Sequence, residues 1–134
     1  MEWIHFLMDS RSVMSVFKRA PSLKGVRINE LTLREDGPCM SLRIDLNEFP
    51  LTPPEKWKTQ GANRVQLTLC FIDVSKLAIQ GWGLDNVGDV ALEKVNDEAD
   101  LQLSIEGSGI YIACCFKFLQ MERISAYHDS SVGS

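Results

Sequence analysis

Arg64-Val65-Gln66-Leu67-Thr68-Leu69-Cys70-Phe71-Ile72-Asp73 is the stretch that decides the fold. Val65, Leu67, Leu69 and Phe71 share one parity and polar residues interleave them, the pattern of a strand with one face in a core. The same period extends in both directions. Upstream, Leu42, Ile44 and Leu46 alternate as inward positions with Ser41, Arg43 and Asp45 outward, and Asp36-Gly37 supplies a hairpin turn before them. In Val26 to Arg34, Val26 and Ile28 lie on one parity but Leu31 and Leu33 on the other, which places a bulge near Asn29 and Glu30.

Downstream, short strands are expected over Lys76 to Gln80 and Val87 to Val95. Leu101, Leu103 and Ile105 alternate with Gln102, Ser104 and Glu106, and Gly107-Ser108-Gly109 turns the chain. Ile110, Ile112, Cys114, Phe116 and Phe118 then form the longest alternating run, and a last strand lies near Glu122 to Tyr127. About eight strands joined by short turns predict a mainly β protein, an antiparallel β-sandwich or a strongly curled sheet. A short N-terminal helix within 10–20, capped by Asp9 and Ser10, carries Val13, Met14 and Phe17 on one face until Pro21 stops it. Thr52-Pro53-Pro54-Glu55 reads as a capping box opening a second short helix around Trp57, ended by Gly61. The whole chain, 1–134, is expected to be a single domain, with its β region at 26–127 and a flexible tail at 128–134.

With 134 residues, 45% hydrophobic and 24% charged, the chain has the composition of one globular domain large enough to form a core without disulfides or metal. A net charge of -4 argues against non-specific nucleic-acid binding and against an anionic membrane surface. Cys39, Cys70, Cys114 and Cys115 have neither zinc-knuckle nor disulfide-framework spacing and read as buried thiols in a reducing compartment. The N-terminal stretch has no cationic region and too short an apolar run for a signal peptide. A cytoplasmic location is therefore expected.

Catalysis requires a nucleophile beside a base, a ligand cluster or a poised carboxylate pair, and the two histidines, His5 and His128, lie at opposite ends of the chain. No catalytic residue, metal site or cofactor site is read. Gly81-Trp82-Gly83 and Gly107-Ser108-Gly109 open no predicted helix and are turns rather than phosphate loops. Trp57 and Trp82 are either lids over the ends of the β core or interface anchors. Charge is unevenly spread: residues 68–134 hold four basic against ten acidic side chains. Between Asp85 and Glu106, seven carboxylates (Asp85, Asp89, Glu93, Asp97, Glu98, Asp100 and Glu106) face only Lys94. If the strands flanking the Asn96 turn pair, Asp89, Glu93 and Glu106 share the outward side, as a solvated face or as a surface for a basic partner.

Pro21-Ser22-Leu23-Lys24-Gly25-Val26-Arg27, Asp36-Gly37-Pro38, Phe49-Pro50 with Pro53-Pro54 and Trp57, Asn63-Arg64-Val65-Gln66-Leu67, Gly81-Trp82 and Ile124-Ser125-Ala126-Tyr127 together resemble the immunity protein 50 family of bacterial polymorphic toxin systems. The resemblance runs from about Pro21 to Tyr127. It implies an intracellular, mostly β, non-enzymatic protein that neutralises a cognate toxin domain by stoichiometric binding, the toxin being encoded beside it. It transfers no binding residues. Joined to the charge pattern, it makes Trp82, Asp85, Asp89, Glu93, Asp97, Glu98, Asp100 and Glu106 the candidate toxin-binding set. Two other readings remain: a small-molecule carrier with its ligand between curled sheets, and an enzyme using Asp and Glu.

Overall fold

The computed structural model describes residues 2–95 and 100–131. The strands are β1 (Val26–Arg34), β2 (Cys39–Asp45), β3 (Arg64–Ile72), β4 (Ser75–Gln80), β5 (Val87–Lys94), β6 (Leu101–Glu106), β7 (Tyr111–Phe116) and β8 (Phe118–Tyr127). They form one eight-stranded sheet in the order β4-β7-β6-β5-β1-β2-β3-β8, with every neighbouring pair antiparallel. The curled single sheet is thus the architecture adopted, with β4 and β8 as its edges.

The curl has an identifiable corner. Only Asp73 and Val74 separate β3 from β4, and only Lys117 separates β7 from β8. The register of β3 on β8, ending at Ile72↔Phe118, continues into that of β4 on β7, starting at Ser75↔Cys115. The two pairs are therefore one long ribbon, bent where Asp73 (φ 63) and Lys76 (φ 53) take left-handed conformations and the register shifts between Ser75 and Ala78. Lys117 N–H donates to the Ile72 carbonyl at 2.9 Å and its ammonium lies 3.4 Å from Asp73. This bend folds the β4-β7-β6-β5 half over the β1-β2-β3-β8 half, so that Phe71 of β3 meets Phe116 of β7 edge-on, with ring centroids 4.9 Å apart.

Val65, Leu67, Leu69 and Phe71 from one half, and Leu103, Ile105, Ile112 and Phe116 from the other, are completely buried. The inward parity of β3 therefore holds. So does the β1 bulge, where the register on β2 shifts between Ile28 and Glu30. The long run predicted through Phe118 is broken instead. At Lys117 the chain turns the corner and parity slips, leaving Phe118 exposed and Leu119 buried. β8 consequently begins four residues before the expected Glu122.

The helices are shorter than their signals. α1 spans only Arg11–Val16, because Phe17 is already extended at φ -111, ψ 135, well before Pro21. It buries Val13, with Phe17 just beyond its end, but exposes Met14. Neither α1 nor α2 (Glu55–Thr59) has a side-chain cap from its N-cap residue. Pro54 occupies that position in α2, so the predicted capping box is not made. Asp9 still accepts the Arg11 N–H at 3.0 Å. Trp57 is buried against Phe49 and serves as a lid, whereas Trp82 is exposed. Ahead of α1, a 3-10 turn at Trp3–Phe6 leads to Leu7, which bridges Leu119 on the β8 edge. The start of the tail is anchored, since Asn63 exchanges two hydrogen bonds with the Asp129 backbone, at 2.7 and 3.0 Å.

Candidate functional site

The outer face of β4-β7-β6-β5 carries three of the predicted carboxylates, Asp89, Glu93 and Glu106. Residues directly opposite one another in paired strands share a face, so registers assemble this surface into rows. One row is Asp89, Glu106, Tyr111 and Gln80; the next is Ala91, Ser104, Ala113 and Ala78; the third is Glu93, Gln102, Cys115 and Ser75. Asp89, Glu93 and Glu106 are all exposed, as their parity predicts. Small residues form the floor between two taller rows. Asp89 stands opposite Glu106, a like-charge pairing that costs roughly 0.2–1 kcal/mol and that folding does not require.

The rest of the candidate set separates from this cluster. Asp85 is ion-paired with Arg27 of β1 at 2.5 Å and belongs to the seam between β1 and β5. Asp89 also accepts the Gly25 N–H at 2.8 Å. Asp100 is half-buried just before β6, and Asp97 and Glu98 lie outside the described residues. Trp82 and the fully exposed Leu84 project from the loop between β4 and β5. Buried Asn86 pins that loop by accepting from Gly83 N–H at 2.8 Å and donating to Gly83 carbonyl at 2.9 Å. Both glycine-rich segments are turns packed backbone to backbone: a Cβ on Gly81 would strike the Gly109 carbonyl, and one on Gly107 the Val87 carbonyl. Tyr111 and the small-residue floor carried no charge or motif signal, and only the strand register brings them to this surface, while Leu84, equally unsignalled, arrives on the loop between β4 and β5.

The other outer face, on β1-β2-β3-β8, is basic and largely neutralised from within, with exposed Arg123, opposite Thr68, making no ion pair among the described residues. Arg27 meets Asp85, Arg34 meets Glu122 at 3.5 Å, Arg43 meets Glu30 at 3.7 Å and Arg64 meets Asp129 at 3.5 Å. Glu122 is the extra residue of a bulge in β8, which aims it at Ser41; the Ser41 hydroxyl donates to it at 2.6 Å and holds its pKa below the ordinary range. Asp45, predicted outward, is buried with one carboxylate oxygen accepting from Tyr127 at 2.5 Å and the other from Gln66 at 3.0 Å. Burial and then the Asp45 bond push the Tyr127 phenol up to about 12. By contrast, among the described residues neither Glu93 nor Glu106 has an ion-pair partner.

Other chemistry is sparse. Among the described residues no group of three or more His, Cys, Asp and Glu side chains could hold a metal. His5 Nδ1 and His128 Nδ1 lie 3.2 and 3.1 Å from backbone carbonyls of Glu2 and Gly61. All four thiols are free. Cys70 and Cys114 are buried as expected, but Cys39 and Cys115 are half-exposed on outer faces. Burial pushes Cys114 up to about 12 and also raises Cys70. Core side chains from both halves pack into one buried cluster between them. No helix of the described residues is long and apolar enough to cross a membrane. Residues 9–127 match the sequence profile of a known family, immunity protein 50, over most of the chain. No curated protein and no solved structure matches the chain.

Proposed function

Because the chain belongs to the immunity protein 50 family, we propose that it protects a bacterial producer by binding a cognate toxin domain in a stoichiometric, non-catalytic complex in the cytoplasm. The toxin approaches the outer face of β4-β7-β6-β5, and the toxin surface that meets it is basic. The observation that carries this reading is the difference between the two outer faces: Arg27, Arg34, Arg43 and Arg64 opposite are each paired with a carboxylate of this chain, with Arg123 the exception on that face among the described residues, while neither Glu93 nor Glu106 has an ion-pair partner among the described residues. Unmatched charge costs stability alone and is recovered only against a complementary partner, where it accelerates encounter and selects among partners. Trp82 and Leu84 add apolar area at the end of the same half-sheet.

The test is to purify the C-terminal toxin domain encoded beside this protein and titrate it calorimetrically. A one-to-one complex is expected, together with survival of cells that co-express both. Glu93→Lys with Glu106→Lys should slow association at low salt and lose most of that effect at high salt. A toxin domain that neither binds nor is neutralised overturns the immunity reading, and an unaffected association rate moves the interface off this face.

A further inference from the structure

A cavity of about 430 Å³ opens on the surface between the end of α1 and the turn after β2, far in sequence from the acidic strands. Its apolar wall is Met14, Val16, Phe17, Phe49, Pro50 and Leu51. The cavity exists because α1 stops at Val16: a helix continuing to Pro21 would carry Lys18 and Arg19 around its axis, whereas the extended backbone at Phe17 lays both along the rim. Leu51 is 98% exposed at the tip of the turn, and Met14 is also exposed, so folding uses neither. The volume falls in the range of roughly 300–1,000 Å³ typical of small-ligand sites.

The polar part of the lining is unbalanced toward positive charge. Lys18 and Arg19 have no ion-pair partner among the described residues. Glu48, the one carboxylate in the lining, is turned to the backbone and accepts the Ser22 N–H at 2.9 Å. An apolar wall with two cations at its mouth fits one chemical class.

We propose that this cavity binds an amphiphilic monoanion, an aromatic or aliphatic body seated on Phe17, Phe49 and Leu51 with its anionic group at Lys18 and Arg19. The site is independent of the toxin-facing surface, and its test uses no toxin. The probes are anilinonaphthalene sulfonate, followed by fluorescence, and decanoate against decanol as competitors. One saturable, blue-shifted site is expected, displaced by decanoate at least tenfold more effectively than by decanol. Lys18→Glu with Arg19→Glu should weaken dye binding at least tenfold, and Leu51→Asp severalfold. These residues are exposed, so melting should be unchanged; Glu93→Lys with Glu106→Lys, on the other half-sheet, should bind dye as the parent does. Backbone amide shifts on adding decanoate should fall on Val16, Phe17, Phe49 and Leu51. Absence of saturable binding, equal competition by decanol, or undiminished binding by the Lys18, Arg19 and Leu51 variants would each overturn the proposal.

Discussion

Replacing Phe71 probes the curl of the sheet more directly than any change within one strand. Its ring is completely buried near the corner and meets Phe116 edge-on across the two halves at 4.9 Å. Phe71→Ala removes the transfer energy of the ring and leaves a cavity that the flanking strands cannot close, a cost of about 3–5 kcal/mol. For a chain of this length that is a fall of roughly 10–15 °C in melting temperature. The loss alone would follow from any buried position, so the sharper measurement is a double-mutant cycle with Phe71→Leu and Phe116→Leu, which preserve most of the volume. The edge-to-face geometry predicts a coupling of about 0.5–1.5 kcal/mol between residues forty-five positions apart in the chain. Urea unfolding of the four proteins supplies it. Additive single effects would mean that the ends of β3 and β7 do not meet, and the corner at Asp73 and Lys117 would then be wrong.

Glu106→Lys turns the like-charge pairing with Asp89 into an attractive one and should stabilise the protein by about 0.2–1 kcal/mol, a gain that thermal melts should show shrinking as salt is added. Tyr127 has its folded-state pKa raised from 10.0 to about 12, so its contribution is fully present below pH 10 and is lost as pH rises toward 12. Phenolate absorbance in a Tyr111→Phe background should therefore rise near pH 12, and a normal alkaline titration would contradict the buried bond to Asp45. Asn86→Ala removes both bonds that pin the Trp82 loop and should cost about 1–3 kcal/mol, with faster proteolysis at Leu84 as its local signature.

Much of the strand content was legible because it depends on neighbours in the chain. The alternation of Val65, Leu67, Leu69 and Phe71, the parity change after Ile28 and the outward placement of Asp89, Glu93 and Glu106 each follow from residues a few positions apart. The same local reasoning overextended the helix past Val16 and the long strand through Phe118. In both places a tertiary demand prevails: Phe17 leaves the helix in an extended conformation, and Lys117 must bend the ribbon.

The candidate site was half legible. Counting charges between Asp85 and Glu106 located the acidic surface, but not which of its carboxylates are matched. Arg27 and Asp85 are fifty-eight positions apart, and Arg34 and Glu122 eighty-eight. Periodicity by itself determined the strands, their inward faces and the acid-rich half of this protein, because a side chain's face is set by its neighbours on the same strand. The corner, the pairing of Arg27, Arg34, Arg43 and Arg64, the small-residue floor beside Tyr111 and the cavity behind α1 were decided only by the tertiary structure. Each depends on how the curled sheet and the segments packed on it bring distant stretches together, and a Coulomb or packing energy depends on distance in space, of which position along the chain carries no record.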